Sequence, residues 1–157
     1  MPSSNPNSYI EHITDIEAPI DVVWKVLFDV NDWEWNKWTR LEANSIPAEG
    51  VKGNLNASYD GNDEWETFDF NFGEVSSKDY ILQWLGSVGP SGCLFSGVHT
   101  MELEVISEHK TRLIHSEKFG GLLPALGLGL PYETLDRNYL LMNESLKKFV
   151  ETKVIDS

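Results

Sequence analysis

The amino-acid sequence predicts a single α+β domain made of an antiparallel sheet and a long C-terminal helix. From Leu41 to Phe119, short runs of alternating apolar and polar residues are separated by Gly, Asn and Asp, which is typical of an antiparallel sheet. From Tyr132 to Glu151 the chain has neither Gly nor Pro, and apolar residues recur every three or four positions, as on one face of a helix. The length of 157 residues fits one domain.

The predicted domain spans residues 9–151, between two short tails. Residues 1–8 are rich in Pro, Ser and Asn and predict a disordered N-terminal tail. Residues 152–157 are predicted as a C-terminal tail.

Composition limits the partners and the compartment. The chain has 25 Asp and Glu against 12 Lys and Arg, a net charge of −13, which argues against nucleic acids, anionic membrane surfaces and phosphorylated polymers as main partners. No apolar run approaches the roughly 20 residues of a membrane span. The single Cys93 cannot form an internal disulfide, and the N-terminus lacks the apolar core of a signal peptide, so we expect a cytoplasmic protein. The sequence predicts no particular oligomeric state.

The N-terminal elements are a strand and two short helices. Tyr9–Glu17 mixes isoleucines with polar residues and predicts the strand, and Asp21 is placed to cap the helix that follows. Asp32–Trp38 predicts a second short helix or turn, and it contains Trp33, Trp35 and Trp38. These rings form either an aromatic wall at the mouth of a pocket or a plug where the short helices pack against the sheet.

The strands of the sheet follow in order. Phe68, Phe70 and Phe72 share one face, and Gly73 then interrupts the alternation, which predicts a β-bulge. The last two strands are predicted at Val98–Val105 and Thr111–Phe119, joined by a polar turn.

Three ionisable residues lie on the apolar faces of these last two strands. Because successive strand residues point to opposite faces, His99 shares the face of Met101, and His115 and Glu117 share the face of Leu113. Burying such groups without partners is costly. They either surround an internal cavity or are core side chains that satisfy one another and a nearby Tyr.

The sequence contains no complete cofactor or metal motif. His115-Ser116-Glu117 fits the H-x-E part of the zinc deaminases, but the Pro-Cys-x-x-Cys part is missing. Gly127-Leu128-Gly129 lacks the third glycine and the preceding strand of a dinucleotide site, and no Walker loop is present. We therefore predict neither a metal nor a cofactor.

The segment before the last helix, residues 120–131, combines five Leu with four Gly and two Pro. It is either an apolar lid over a cavity or a broken first turn of the helix that packs on the core. We expect it to be mobile and to gate the cavity.

The order of these elements resembles the helix-grip fold. Asp15–Trp24 is similar to the opening of that family, in which an Ala-Pro turn precedes a helix with a Val-Trp pair. Asp32–Trp38 resembles the Trp-Asn element that follows, Thr111–Gly121 resembles the last strand with its exit glycine, and Tyr139–Glu151 resembles the closing helix. On these residues the chain resembles the START/polyketide cyclase and dehydrase superfamily, also called SRPBCC.

The resemblance implies a seven-stranded antiparallel sheet wrapped around the long helix, with a cavity for an apolar ligand. Members of the superfamily include lipid carriers, plant hormone receptors, aromatic polyketide cyclases and activators of a chaperone ATPase. The fold therefore does not select one function.

The predicted function is binding or transport of a hydrophobic or aromatic small molecule between the sheet and the last helix, with His99, His115 and Glu117 orienting its polar groups. The alternative is a polyketide cyclase/dehydratase-like enzyme, in which His115 or His99 removes a proton and Glu117 holds the imidazole. A second alternative is a protein-interaction module that uses the three tryptophans. The predicted ligand-binding residues are Tyr59, Phe68, Phe70, Phe72, Trp84, Met101, Leu113, Phe119, Leu126, Leu135, Tyr139 and Met142.

Overall fold

The computed structural model describes residues 9–88, 95–121 and 132–156. These residues form a seven-stranded antiparallel sheet with a long C-terminal helix, which confirms the predicted fold class. The order of the strands in the sheet is β1-β7-β6-β5-β4-β3-β2. The strands are β1 (Tyr9–Ile16), β2 (Thr39–Ala43), β3 (Lys52–Ala57), β4 (Glu66–Ser76), β5 (Ile81–Val88), β6 (Phe95–Ser107) and β7 (Lys110–Gly120). The helices are α1 (Ile20–Phe28) and α2 (Tyr132–Ile155), with a 3-10 turn at Val30–Asp32.

The predicted bulge in β4 is present. The register between β4 and β5 shifts between Phe72 and Val75, beside Gly73. Gln83 of β5 accepts a hydrogen bond from the backbone N–H of Glu74, at 3.1 Å. A Cβ atom at position 73 would lie 2.4 Å from that Gln83 oxygen, so the glycine leaves the space that the bulge needs.

The segment Asp32–Trp38, predicted as a second short helix or a turn, is not helical: the 3-10 turn at Val30–Asp32 ends before the tryptophans, and a turn follows at Glu34 and Trp35. The side chain of Asn36 explains why no helix continues there. Its Oδ1 atom accepts hydrogen bonds from the backbone N–H groups of Trp38 and Thr39, both at 2.9 Å. This local side-chain turn leads the chain directly into β2.

The helix α2 extends to Ile155, so residues 152–155 are helical and not part of a C-terminal tail. Val154 packs against the main core cluster, which favours continuation of the helix beyond Glu151. The predicted N-terminal tail, residues 1–8, lies outside the described residues.

Trp33 and Trp35 lie inside the core. They are 2% and 7% exposed, and their ring centroids are 5.4 Å apart. The indole N–H of Trp33 donates to the carbonyl oxygen of Leu27 at 3.1 Å, which ties the segment to the end of α1. For these two rings the plug interpretation is correct. A protein-interaction surface built on an exposed tryptophan cluster is wrong, because two of its three rings are buried.

The helix α2 covers the edge strand β1. Asn143 donates to the carbonyl oxygen of His12 at 3.3 Å, Lys147 to that of Asp15 at 2.9 Å, and Tyr132 to that of Tyr9 at 2.8 Å. Three side chains of α2 thus donate hydrogen bonds to backbone carbonyl groups of β1. Within the described parts of the chain, no helix has the apolar length to cross a bilayer.

Candidate functional site

His99, His115 and Glu117 come together on the inward face of the sheet. His99 on β6 pairs directly with Glu117 on β7, and His115 lies two positions before Glu117 on the same face. Their exposed fractions are 3%, 0% and 8%. Tyr139 and Asn143 of α2 lie against them. We call His99, His115, Glu117, Tyr139 and Asn143 the polar cluster.

The proton on His115 is placed by Asn143. The Nδ2 atom of Asn143 is near the carbonyl oxygen of His12, at 3.3 Å, and the hydroxyl oxygen of Thr14, at 3.1 Å. Because a backbone carbonyl only accepts, this end of the amide donates, and the Oδ1 atom of Asn143 accepts from His115 Nδ1 at 2.7 Å. In the neutral ring, His115 Nε2 is therefore an acceptor.

The remaining contacts follow from that tautomer. His99 Nε2 is hydrogen-bonded to His115 Nε2, and because the latter accepts, His99 donates. The other nitrogen of His99, Nδ1, lies 3.6 Å from Glu117 Oε2. The hydroxyl group of Tyr139 donates to Glu117 Oε1. The polar cluster is thus one continuous chain of contacts that begins at Asn143 and ends at Tyr139.

Burial sets the charge of two members. Desolvation is the largest cause that holds the pKa of His115 well below its ordinary value, and the nearby His99 is the second. Desolvation, and second the Glu117 carboxylate, hold the pKa of Tyr139 well above its ordinary value. At neutral pH, His115 is uncharged and Tyr139 keeps its proton, which agrees with the hydrogen-bond directions.

Aromatic rings pack against the two histidines of the cluster. The Trp84 ring stacks on the His99 ring, with centroids 4.1 Å apart and planes at 16°. The Tyr139 ring lies 4.7 Å from the His99 ring and 5.0 Å from the His115 ring. The indole Nε1 of Trp84 is buried and has no hydrogen-bond partner among the described residues.

Nine of the twelve residues predicted to bind ligand lie in or against two apolar clusters. Five of them are in the larger cluster, with α1 and the buried tryptophans: Phe70, Phe72, Trp84, Met101 and Leu113. Three are in a smaller cluster with Ile10, next to the polar cluster: Phe119, Tyr139 and Met142. Leu135 packs at the edge of the smaller cluster, together with Trp38 and Tyr132.

The other three residues predicted to bind ligand are Tyr59, Phe68 and Leu126. Tyr59 and Phe68 are half-buried. Burial, and second Glu66, raise the pKa of Tyr59 above its ordinary value, and the Glu117 charge acts in the same direction. Leu126 lies outside the described residues, as do residues 122–131 of the predicted lid.

Two residues of the site were not predicted from the sequence. Asn143 lies four positions after Tyr139, on the same helix face, and this spacing was a usable signal. Gly97 has the same parity as His99 on β6, and a Cβ atom there would lie 2.6 Å from Glu117 Oε2. Gly97 therefore leaves room for the Glu117 carboxylate.

The side chains of the polar cluster contact one another directly. Among residues 9–88, 95–121 and 132–156, no group of three or more His, Cys, Asp or Glu side chains could hold a metal ion. The contacts instead link ring nitrogens and oxygens to one another, through three hydrogen bonds and the 3.6 Å contact between His99 and Glu117.

Comparison with known proteins shows the fold. No protein-family model matches the chain, and no curated protein matches its sequence. Among solved structures, the chain is similar to the Zhui aromatase/cyclase from Streptomyces sp. R1128, with a TM-score of 0.72, 17% identity and coverage of 93% of this chain and 94% of that one.

Two further structures are similar over most of this chain. The di-domain ARO/CYC protein BexL from the BE-7585A biosynthetic pathway matches with a TM-score of 0.71 and 18% identity, over 91% of this chain and 46% of its own. Ara h 8.0201 matches with a TM-score of 0.67 and 14% identity, over 92% of this chain and 97% of its own. The chain therefore has the helix-grip fold that its resemblance to the START/polyketide cyclase superfamily implied.

Proposed function

We propose that the chain binds a hydrophobic or aromatic small molecule between the inward face of the sheet and α2, with the polar cluster at the polar end of the ligand. The observation that carries this proposal is the cluster itself. Five polar side chains are linked by three hydrogen bonds and by the 3.6 Å contact between His99 and Glu117, on a largely apolar inward face. A few convergent polar groups among apolar and aromatic side chains are typical of small-molecule sites.

The surroundings of Glu117 support the same function. Ile10 pairs with Glu117 across β1 and β7, and it belongs to the smaller apolar cluster with Phe119 and Met142. The half-buried Trp38 and Leu135 pack at the edge of this cluster. An apolar ligand that contacts these side chains would bring its polar end to Glu117.

Binding can be tested with N-phenyl-1-naphthylamine, a neutral apolar probe whose fluorescence rises in apolar surroundings. We expect saturable binding to the wild-type protein, and weaker binding to Leu135→Arg, which places a charge at the edge of the smaller cluster. Ile46→Arg, at an exposed loop residue, is the matched control and should bind as the wild type does. Absence of saturable binding to the folded wild-type protein would refute the proposed function.

Acid–base catalysis on a polyketide-like substrate is the second candidate, and the ordered contacts of His115, His99 and Glu117 favour it. Both ring nitrogens of His115 are engaged, so it would act as a positioning residue, and His99 with Glu117 would exchange a proton with the substrate. A synthetic oligo-β-ketone thioester is a suitable test substrate.

The variant His115→Gln separates the two functions. For a binding protein we expect a change in ligand affinity of about 1–3 kcal/mol at most. For an enzyme, turnover of the thioester would fall by roughly 10²–10⁴ with little change in binding. His109→Gln, in the exposed turn after β6, is the matched control. We expect the result of a binding protein.

A further inference from the structure

We infer that the polar end of the ligand is a phenolic hydroxyl group that donates a hydrogen bond to Glu117, and that the site rejects a carboxylate. This inference rests on the proposed function and defines the chemistry of the same site. It follows from where each proton of the polar cluster is already used.

The N–H and O–H protons described so far are committed to partners in the cluster or on β1. His115 Nδ1–H donates to Asn143, and His99 Nε2–H donates to His115. The hydroxyl proton of Tyr139 is donated to Glu117. The amide protons of Asn143 are directed to Thr14 and to the backbone of His12. None of these donors is left for a ligand.

The one remaining proton position lies between His99 Nδ1 and Glu117 Oε2, which are 3.6 Å apart. If His99 holds that proton, an imidazolium faces a carboxylate. If Glu117 holds it, a carboxylic acid faces a neutral ring. If it is absent, both atoms carry only lone pairs. In this last case the unused hydrogen-bonding capacity of the chain of contacts consists of acceptors, and this is the state in which Glu117 accepts a hydrogen bond from a ligand.

These free acceptors belong to the outermost members of the cluster. Exposure increases from His115 at 0% through His99 at 3% and Tyr139 at 6% to Glu117 at 8%. The oxygens of Glu117 and the hydroxyl oxygen of Tyr139 have lone pairs without partners in the cluster. Gly97 has no side chain that would cover Glu117 Oε2. A ligand therefore meets acceptors first.

A hydroxyl group fits this site better than an ammonium group does, because it also accepts. The unpartnered indole N–H of Trp84, whose ring stacks on His99, is a buried donor beside the cluster. A phenol has a proton to donate to Glu117 and also lone pairs that can accept from a donor, whereas an ammonium group has no lone pair. A carboxylate only accepts, so it would place its charge against Glu117 in a protein of net charge −13.

Three ligands with the same ring system test the inference: naphthalene, 2-naphthol and 2-naphthoate. Their affinities are measured at pH 7 by isothermal titration calorimetry. We expect 2-naphthol to bind about ten-fold more tightly than naphthalene, the scale of one hydrogen bond, and 2-naphthoate to bind more weakly than naphthalene. Equal or tighter binding of 2-naphthoate compared with 2-naphthol would overturn the inference while leaving the proposed function standing. Failure of all three to bind would refute both.

Variants assign the selectivity to Glu117. Glu117→Gln supplies an amide donor, so the ratio of 2-naphthol to 2-naphthoate affinity should fall by about ten-fold or more. Glu108→Gln, in the exposed turn before β7, is the matched control and should keep the wild-type ratio. An unchanged ratio in Glu117→Gln would contradict the assignment. If Glu117→Gln does not fold, Tyr139→Phe is the second variant. It removes the hydrogen bond to Glu117 Oε1, so the preference for 2-naphthol over 2-naphthoate should be preserved. Loss of that preference in Tyr139→Phe would contradict the inference.

Discussion

Gly97 lies directly beside the carboxylate of Glu117. A Cβ atom at position 97 would lie 2.6 Å from Glu117 Oε2, closer than side-chain atoms normally approach. Gly86 pairs with Gly97 across β5 and β6, but a Cβ atom at position 86 would meet nothing within 4 Å. Two neighbouring glycines therefore have different roles, and only Gly97 supports the site.

Replacing each of these glycines by alanine tests this difference. We expect Gly97→Ala to lower the free energy of unfolding by about 1–3 kcal/mol, because the added methyl group displaces the Glu117 carboxylate from its partners. Gly86→Ala should be neutral or slightly stabilising, because the methyl group enters open space. Urea denaturation measures both changes. Equal effects of the two substitutions would contradict the role assigned to Gly97.

His115 should make the protein less stable on acidification. Its pKa in the folded state is held well below the ordinary value by burial and by His99. In the unfolded chain it titrates near pH 6.5. Above that pH the ring is neutral in both states. Below it the unfolded chain gains a proton that the folded protein does not, so the free energy of unfolding falls by about 1.4 kcal/mol per pH unit until the folded pKa is reached.

The contribution of His115 can be isolated by urea denaturation between pH 7 and pH 5. We expect the wild-type stability to fall more steeply over this range than that of His115→Gln, which lacks the titrating ring. His109→Gln changes an exposed histidine and should keep the wild-type slope. A slope in His115→Gln that matches the wild type would show that other groups cause the loss of stability.

Asn143 should determine the tautomer of His115. In the wild-type protein we expect nitrogen NMR to show the proton of His115 on Nδ1. Asn143→Ala removes the acceptor of that proton and should both abolish this preference and lower the free energy of unfolding by about 1–3 kcal/mol, the cost of an unsatisfied buried donor. Asn54→Ala, at an exposed position of β3, is the control. A wild-type His115 spectrum in Asn143→Ala would contradict the assignment.

Trp33 should act through packing. Its ring lies 5.6 Å from the Trp84 ring and 5.4 Å from the Trp35 ring, and it is almost completely buried. We expect Trp33→Ala to lower the free energy of unfolding by about 3–5 kcal/mol, the scale of a large aromatic deletion in a core. Ile46→Ala, at an exposed residue, should change it by less than about 0.5 kcal/mol. A small effect at Trp33 would contradict the plug interpretation.

Residue parity predicted the inward direction of His99, His115 and Glu117 because side chains alternate strictly along a strand. The direct pairing of His99 with Glu117 also required the register of the β6–β7 hairpin, which sequence alternation alone does not determine. Helical spacing could have predicted that Asn143 lies at the site, because it shares a face of α2 with Tyr139. Its role depends on a hydrogen bond between distant parts of the chain, and local patterns contain no such information.

The position of the tryptophans could not be predicted from the sequence. The composition of their segment fits both a pocket mouth and a core plug, because both use large aromatic rings. The outcome depends on tertiary burial and on the Asn36 turn, which directs the chain into β2. The extension of α2 to Ile155 likewise reflects packing of Val154 rather than a local stop signal.

The coverage of β1 by α2 has a consequence for how the protein is made. The first strand pairs with the last, from Tyr9 with Lys118 to Ile16 with Thr111, so the sheet closes only after most of the chain has been synthesised. The β6–β7 hairpin can form earlier, and it carries His99, His115 and Glu117 before Tyr139 and Asn143 exist to contact them. A chain that ends before α2 keeps these three ionisable groups and loses both helix partners. Docking of the last helix therefore supplies the two partners, Asn143 for His115 and Tyr139 for Glu117, that complete the polar cluster.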